Sequence, residues 1–414
     1  MALLNFSGDP LIASDSRILE FRGRIDTQGL PVLSMQTQNG EELELSIFEE
    51  CTTEGFPPAN TKYLAHPLTP PNKSNFELLS ILNGDSQAIP LTAEVSPLLG
   101  FSRTILYSNP QDPSRMYKLG GIGICRQEGN EIVVERPKST SRMGKHIAGT
   151  KNMQARVFEP DGTFTHDENN TILGVYTTPG IVDKVQRHRS IGKILGANDI
   201  SVPDQVLIAQ EDNTDYYALG TSLPLSLNFT QLGNIEAWAL SEELFRDPLL
   251  TLVGTFLRFN MLAAMHDSGL THNQFTATNA RINVTGNHSN TVIPNDFTDS
   301  RRLVVYPQDR FFKTALTPYP IDFKTLATLF DFEHSLHLVF KEVKGGKPSA
   351  LSNHLMQLAG AAMAGYTNIS MSLSGLERSS LAFSEQALKA NIQSRKDIIK
   401  QAILSVFFPG FSPR

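Results

Sequence analysis

Apolar and polar residues alternate in the first part of the chain. Ile18 to Ile25 and Glu42 to Phe48 carry a period of two, with Gly29 and Asn39-Gly40 as turn signals between them, which predicts short strands. Pro57, Pro58, Pro67, Pro70 and Pro71 then suggest a surface connection. Strand patterns resume at Thr104 to Tyr107 and Arg115 to Leu119, on either side of the turn sequence Asn109-Pro110-Gln111-Asp112-Pro113, and again at Glu131 to Glu135. A helical stripe follows, with Val182, Val185, Ile191, Ile194 and Leu195 apolar and Gly196 and Asn198 as stop signals. Two further strands are predicted at Val206 to Ala209 and Tyr216 to Leu219, before the connector Gly220-Thr221-Ser222-Leu223-Pro224.

Beyond that connector the period changes. Ser241 with Glu242 and Glu243 makes a helix start. Leu249, Leu252, Val253, Phe256, Leu257, Met261 and Ala264 keep helical spacing and predict a buried helix. Further helices are expected near Leu351 to Ala364 and Glu385 to Phe407. The order predicts an α+β protein of two lobes with a cleft between them. Residues 1–100 form a β-rich accessory region, 101–224 a strand-rich lobe and 225–414 a helical lobe in this reading.

Composition narrows the chemistry. A length of 414 residues and a formal charge of -6 fit an ordinary globular protein with no global basic signal for nucleic acid. The two cysteines, Cys51 and Cys125, argue against a disulfide scaffold and fit a reducing compartment. The N-terminus lacks a secretory pattern, and the longest apolar runs are interrupted by Thr, Gly, Arg and Asn, so no membrane span is expected. The cytoplasm is the expected location; delivery into another cell by a secretion system leaves no recognisable sequence signature.

The segment from Met265 to Arg302 carries the densest chemistry. Its helix ends at His266-Asp267, and a loop follows with His272, Gln274 and Asn279. A short strand from Ala280, a turn at Gly286-Asn287 and the run Thr291-Val292-Ile293-Pro294 then lead to Asp296-Phe297. An amide oxygen and a carboxylate oxygen brought together in this way are hard ligands for a divalent cation held against phosphates. The order resembles the catalytic segment of the protein-kinase-like superfamily, in which a His-x-Asp-x-x-x-x-Asn loop precedes a hairpin and an Asp-Phe element.

That resemblance implies a two-lobed kinase-like fold, ATP with Mg²⁺ or Mn²⁺ as cofactors, and a protein or small-molecule acceptor with a protein activator as a further partner. It assigns His272 to the loop histidine and Asn279 and Asp296 to the metal. Two positions depart from it. Gln274 stands where the loop Asp belongs, and an amide cannot act as a carboxylate base. Thr298 follows Asp296-Phe297 where glycine is usual. The resemblance also asks for a strand lysine to grip phosphates, for which Lys118 is the first candidate and Lys138 the second, and for a helical acid, yet the helix near 182–195 offers Asp183 and Gln186 but no Glu.

Other features stay open at this stage. Gly120-Gly121-Ile122-Gly123 reads as a turn or a phosphate cradle, without the Gly-Lys-Ser/Thr ending of a P-loop. The run Arg136, Lys138, Arg142, Lys145, Lys151 and Arg156 reads as a solvated loop or as one that folds over the cleft, with Arg142 clamping a phosphate. Ser141-Arg142-Met143-Gly144 is similar to a segment of the selenoprotein-O pseudokinases, which also lack the loop Asp and transfer AMP. Phosphoryl transfer, AMP transfer and a catalytically silent scaffold are therefore the three functions in view. Metalloprotease, serine-hydrolase and nucleic-acid stacking patterns are absent from the sequence.

Overall fold

The structure is a computed structural model. It describes residues 18–27, 30–37, 42–46, 48–95, 101–136, 156–158, 164–166, 175–177, 180–212, 216–229, 231, 249–283, 292–297, 300–303, 312–314, 317–321, 323–342, 358–363 and 365–366. In chain order the strands and helices begin with β1 (Ile18–Ile25), β2 (Pro31–Thr37), β3 (Glu42–Ser46), β4 (Thr52–Glu54), β5 (Tyr63–Ala65) and α1 (Lys73–Asn83). They continue with β6 (Pro90–Ala93), β7 (Ser102–Ser108), β8 (Arg115–Glu128), β9 (Glu131–Glu135), β10 (Arg156–Phe158), β11 (Phe164–His166), β12 (Tyr176–Thr177) and α2 (Gly180–Gly196). Next come β13 (Asp204–Glu211), β14 (Tyr216–Pro224), β15 (Ser226–Asn228), α3 (Leu249–Asp267), β16 (Leu270–Thr271) and β17 (Ala280–Asn283). The last are β18 (Val292–Pro294), β19 (Arg301–Arg302), β20 (Phe312–Thr314), β21 (Thr317–Ile321) and α4 (Phe323–Glu342).

A nine-stranded sheet organises the first half, with β4-β9-β8-β14-β13-β5 as its main path, β7 also paired to β8, β6 to β7 and β12 to β14. β1, β2 and β3 form a separate antiparallel sheet. The sheet draws in β4, β5 and β6 from before residue 100. Part of that connection leads into α1, which the sequence reading missed; Asn72 caps it by accepting from Asn75 N, and Gly84 ends it in the left-handed region. The second half is built on α3 and α4, the small β15-β17-β18 sheet and the β16-β19 pair. This is the α+β, two-lobed arrangement that the order of patterns predicts.

One apolar cluster lies on the sheet, and a larger one packs the helices and reaches back to Leu106, Met116 and Leu195 of the first half. Leu119, Ile122, Ile132, Leu207 and Ala218 lie within the sheet's cluster, and Phe259, Leu262, Phe275, Phe332 and Leu336 within that of the helices. Gly120-Gly121-Ile122-Gly123 is neither a turn nor a phosphate loop, because it lies inside β8 and bends it. Residues 115–120 pair with β14, whereas 124–128 pair with β9. Gly121 has φ +79°, and a Cβ there would lie 2.7 Å from the Tyr217 carbonyl oxygen, so only glycine fits. The predicted helix at 385–407, Lys138 and Arg142 lie outside the described residues. Among the described residues no helix is long and apolar enough to cross a membrane.

Candidate functional site

The loop after α3 is positioned by a buried acid on α4. Asp331, 1% exposed, accepts from His266 Nε2 at 2.9 Å and from the backbone N–H groups of His272 and Asn273, each at 2.7 Å. His266 in turn bonds Tyr366 Oη at 2.8 Å. Burial would raise the Asp331 pKa, but the hydrogen bond from His266 and its charge, with the His272 amide, outweigh that and lower it. His272 is fully buried and bonds the Asn295 carbonyl at 2.9 Å, so its ring joins the loop to the strand that precedes Asp296.

The β17–β18 ladder then brings the two assigned metal ligands together. Ala280 pairs with Pro294, and Asn295 N donates to Asn279 O at 3.0 Å. Asn279 Nδ2 donates to the Gln274 carbonyl at 2.8 Å. Asn279, Asp296 and Lys118 all line one cavity between the sheet and the helical half. Asp296 has φ +54°, a conformation rare outside glycine and held here by its neighbours. His272 and Gln274 do not line the cavity. Their place is in the loop's scaffold, His272 through its ring and Gln274 through its backbone.

The ion pairs differ from those the resemblance implies. Lys118 sits inside β8, and its partner is Glu94, 2.7 Å away, which follows β6 rather than lying on a helix. Glu94 also binds Arg281, whose side chain is 1% exposed and which bonds Ser226 through both its hydroxyl and carbonyl oxygens. Burial would raise the Glu94 pKa, but Arg281 and Lys118 together bring it down to about 2. On α2, where an acid is expected, Lys184 reaches Asp296 Oδ1 at 2.9 Å and lies over the Tyr176 ring at 5.3 Å. Burial opposes its charge, but Asp296 outweighs burial and raises the Lys184 pKa. Arg136, from the cationic run, is bound to Glu211 at 2.7 Å and does not line the cleft.

A column of rings links the halves. His188, one turn beyond Lys184, packs on Phe297 at 4.9 Å, and Phe297 packs on His272 at 5.6 Å. His188 is 3% exposed, and burial together with Lys184 lowers its pKa to about 4, against the opposing pull of Asp296. It is therefore neutral in the folded protein and protonates readily only when unfolded, so its contribution to stability is present above pH 6.5 and is lost as pH falls toward 4. With Lys184, Asp296 and Lys118 as the charges acting on it, His188→Leu should flatten the pH dependence of the urea midpoint in that window.

Three buried polar atoms among the described residues have no hydrogen-bond partner and belong to residues that line this cavity: His188 Nε2, Gln205 Oε1 and Asn295 Nδ2. Unsatisfied groups of this kind are rare in folded proteins. The cavity is lined by the cations Arg103, Lys118, Lys184 and Arg281 and by the carboxylates Glu94 and Asp296, so positive charge is in excess. The sequence reading missed Glu94, Lys184, His188, Arg281 and Asp331. The lack of a Glu on α2 was the one visible hint that the pairing is rearranged.

No family model matches the chain, and no curated protein matches it. Among solved structures it is similar to a rhoptry kinase from Toxoplasma gondii, at 12% identity and TM-score 0.34 over 75% of this chain and 81% of that one. It is also similar to the ROP18 kinase domain in complex with AMP-PNP and sucrose, at 8% identity and TM-score 0.33 over 78% and 77%. A third is ROP2 from Toxoplasma gondii, described as a virulence factor with a protein-kinase fold and no enzymatic activity, at 14% identity and TM-score 0.29 over 82% and 90%. At TM-scores this low the likenesses do not bear on function, which rests on the geometry above.

Proposed function

We propose that this chain is a kinase-like binding protein, a pseudokinase whose cleft takes a phosphate-bearing ligand of the nucleoside triphosphate class without transferring a group from it. The observation that carries the reading is the cavity itself, along whose walls cations exceed carboxylates. Phosphate oxygens answer to that excess of cations through charge-assisted bonds to Lys118, Lys184 and Arg103. Gln274, standing in place of the loop carboxylate, supplies no general base. The resemblance to the kinase segment, with Asn279 and Asp296 both lining this cavity, is why the nucleotide class is preferred to a simple anion.

Calorimetric titration with AMP-PNP tests the reading. Lys118→Ala removes one charge-assisted contact and should weaken binding by about tenfold to a hundredfold. Glu94 remains paired with Arg281 in that variant, so the fold is kept. No binding to the unaltered protein, or no effect of Lys118→Ala, would refute the assignment of this cleft.

A further inference from the structure

The resemblance implies a divalent metal at Asn279 and Asp296, and the residues around Asp296 do not fit one. Asp296 is bonded to an ammonium, Lys184 Nζ at 2.9 Å, and a divalent cation there would meet that positive charge at close range. Lys184 is not loosely placed: it extends from the seventeen-residue helix α2, lies over the Tyr176 ring, and precedes by one turn the His188 ring that packs on Phe297. The donor set is also thin. Among the described residues no group of three or more His, Cys, Asp and Glu side chains is placed to hold a metal, and Asn279 adds one neutral amide oxygen. Arg103 lines the same cavity and has no ion-pair partner among the described residues.

Resting on the reading that the cleft takes a phosphate-bearing ligand, we infer that Lys184 stands in for the divalent cation, so that the polyphosphate binds with no metal and its charge is met by Lys184, Lys118 and Arg103. Asp296 then serves to hold the Lys184 ammonium in position rather than to ligate Mg²⁺ or Mn²⁺. The ammonium supplies three N–H donors on a point charge, enough to bond Asp296 and still face a phosphate oxygen.

The test is AMP-PNP binding to the full chain in excess EDTA and again in excess Mg²⁺, for the unaltered protein, Lys184→Met and Lys184→Arg. The unaltered protein should bind with the same affinity, within about twofold, in both conditions. Lys184→Met should lose tenfold or more in EDTA and in Mg²⁺ alike, because the donor set at Asp296 is too thin to hold the ion in place of the ammonium. Lys184→Arg should keep binding in EDTA, which shows that a charge at this position is what matters. Binding of the unaltered protein only with Mg²⁺ would overturn the inference and leave the cleft's ligand class standing. Undiminished binding of Lys184→Met in EDTA would likewise remove Lys184 from this role. Absence of binding in both conditions would instead overturn the ligand reading, and this inference with it.

Discussion

Glu94→Ala should lower the unfolding free energy by about 3–5 kcal/mol, the range expected when a buried charge loses its partner. Arg281 lies in the protein interior with its guanidinium on Glu94 and Ser226, and removing the carboxylate leaves that cation without a counter-ion. Lys118 loses its partner as well, but it is partly exposed and can turn toward water. The double variant Glu94→Leu with Arg281→Met should recover most of the loss, since an apolar pair of similar volume avoids the desolvation of both ions. The Glu94 carboxyl is held down to about 2, so its stabilising contribution is present above its ordinary value of 4.5 and fades as pH falls from there toward 2. Urea unfolding curves of the three proteins read all of this. A single variant within 1 kcal/mol of the unaltered protein would show that the loss of Glu94 does not strand the Arg281 charge in the interior.

Asp331→Ala should have a comparable or larger effect and should also abolish binding in the cleft. The substitution removes the acceptor for His266 and the His272 amide, both buried, and for the part-buried Asn273 amide. Orphaned buried donors cost about 1–3 kcal/mol each, so a total of about 3–5 kcal/mol is the expected scale. Binding fails for a different reason. His272 is the foot of the column that continues through Phe297 to His188, and its ring bonds the carbonyl just before Asp296. Loss of the loop's anchor therefore reaches the cavity. Retained AMP-PNP affinity in a folded Asp331→Ala protein would separate the loop from the site and contradict this coupling.

Local features were the legible ones. The strand at Glu131–Glu135, the helix over Gly180–Gly196 and the helix over Leu249–Asp267 match the patterns at those positions, because each shows its period in which positions are apolar. Asn279 and Asp296 share a wall because a hairpin joins them, and a hairpin is a short-range event that the chain order reveals. The ion pairs are of another kind. Arg281 and Glu94 are 187 residues apart, and nothing in the neighbourhood of either one points to the other. Lys118 could be singled out as a strand lysine, but its partner could not, since the expected helical acid is replaced by Lys184 and the carboxylate comes from the end of β6. The glycine run in β8 misled for a related reason. A bend that lets one long strand change partners has the same local composition as a turn.

The most direct measurement of the central claim is incubation of the full chain with γ-labelled and α-labelled ATP in Mg²⁺, alongside a binding assay on the same preparation. A cleft whose carboxylates are bonded to its own cations and whose loop carries Gln274 should bind the nucleotide and leave both labels on it. Label from the γ position on this protein or an added acceptor, or label from the α position, lost in Asp296→Ala, would contradict the account and make the cleft a transferase.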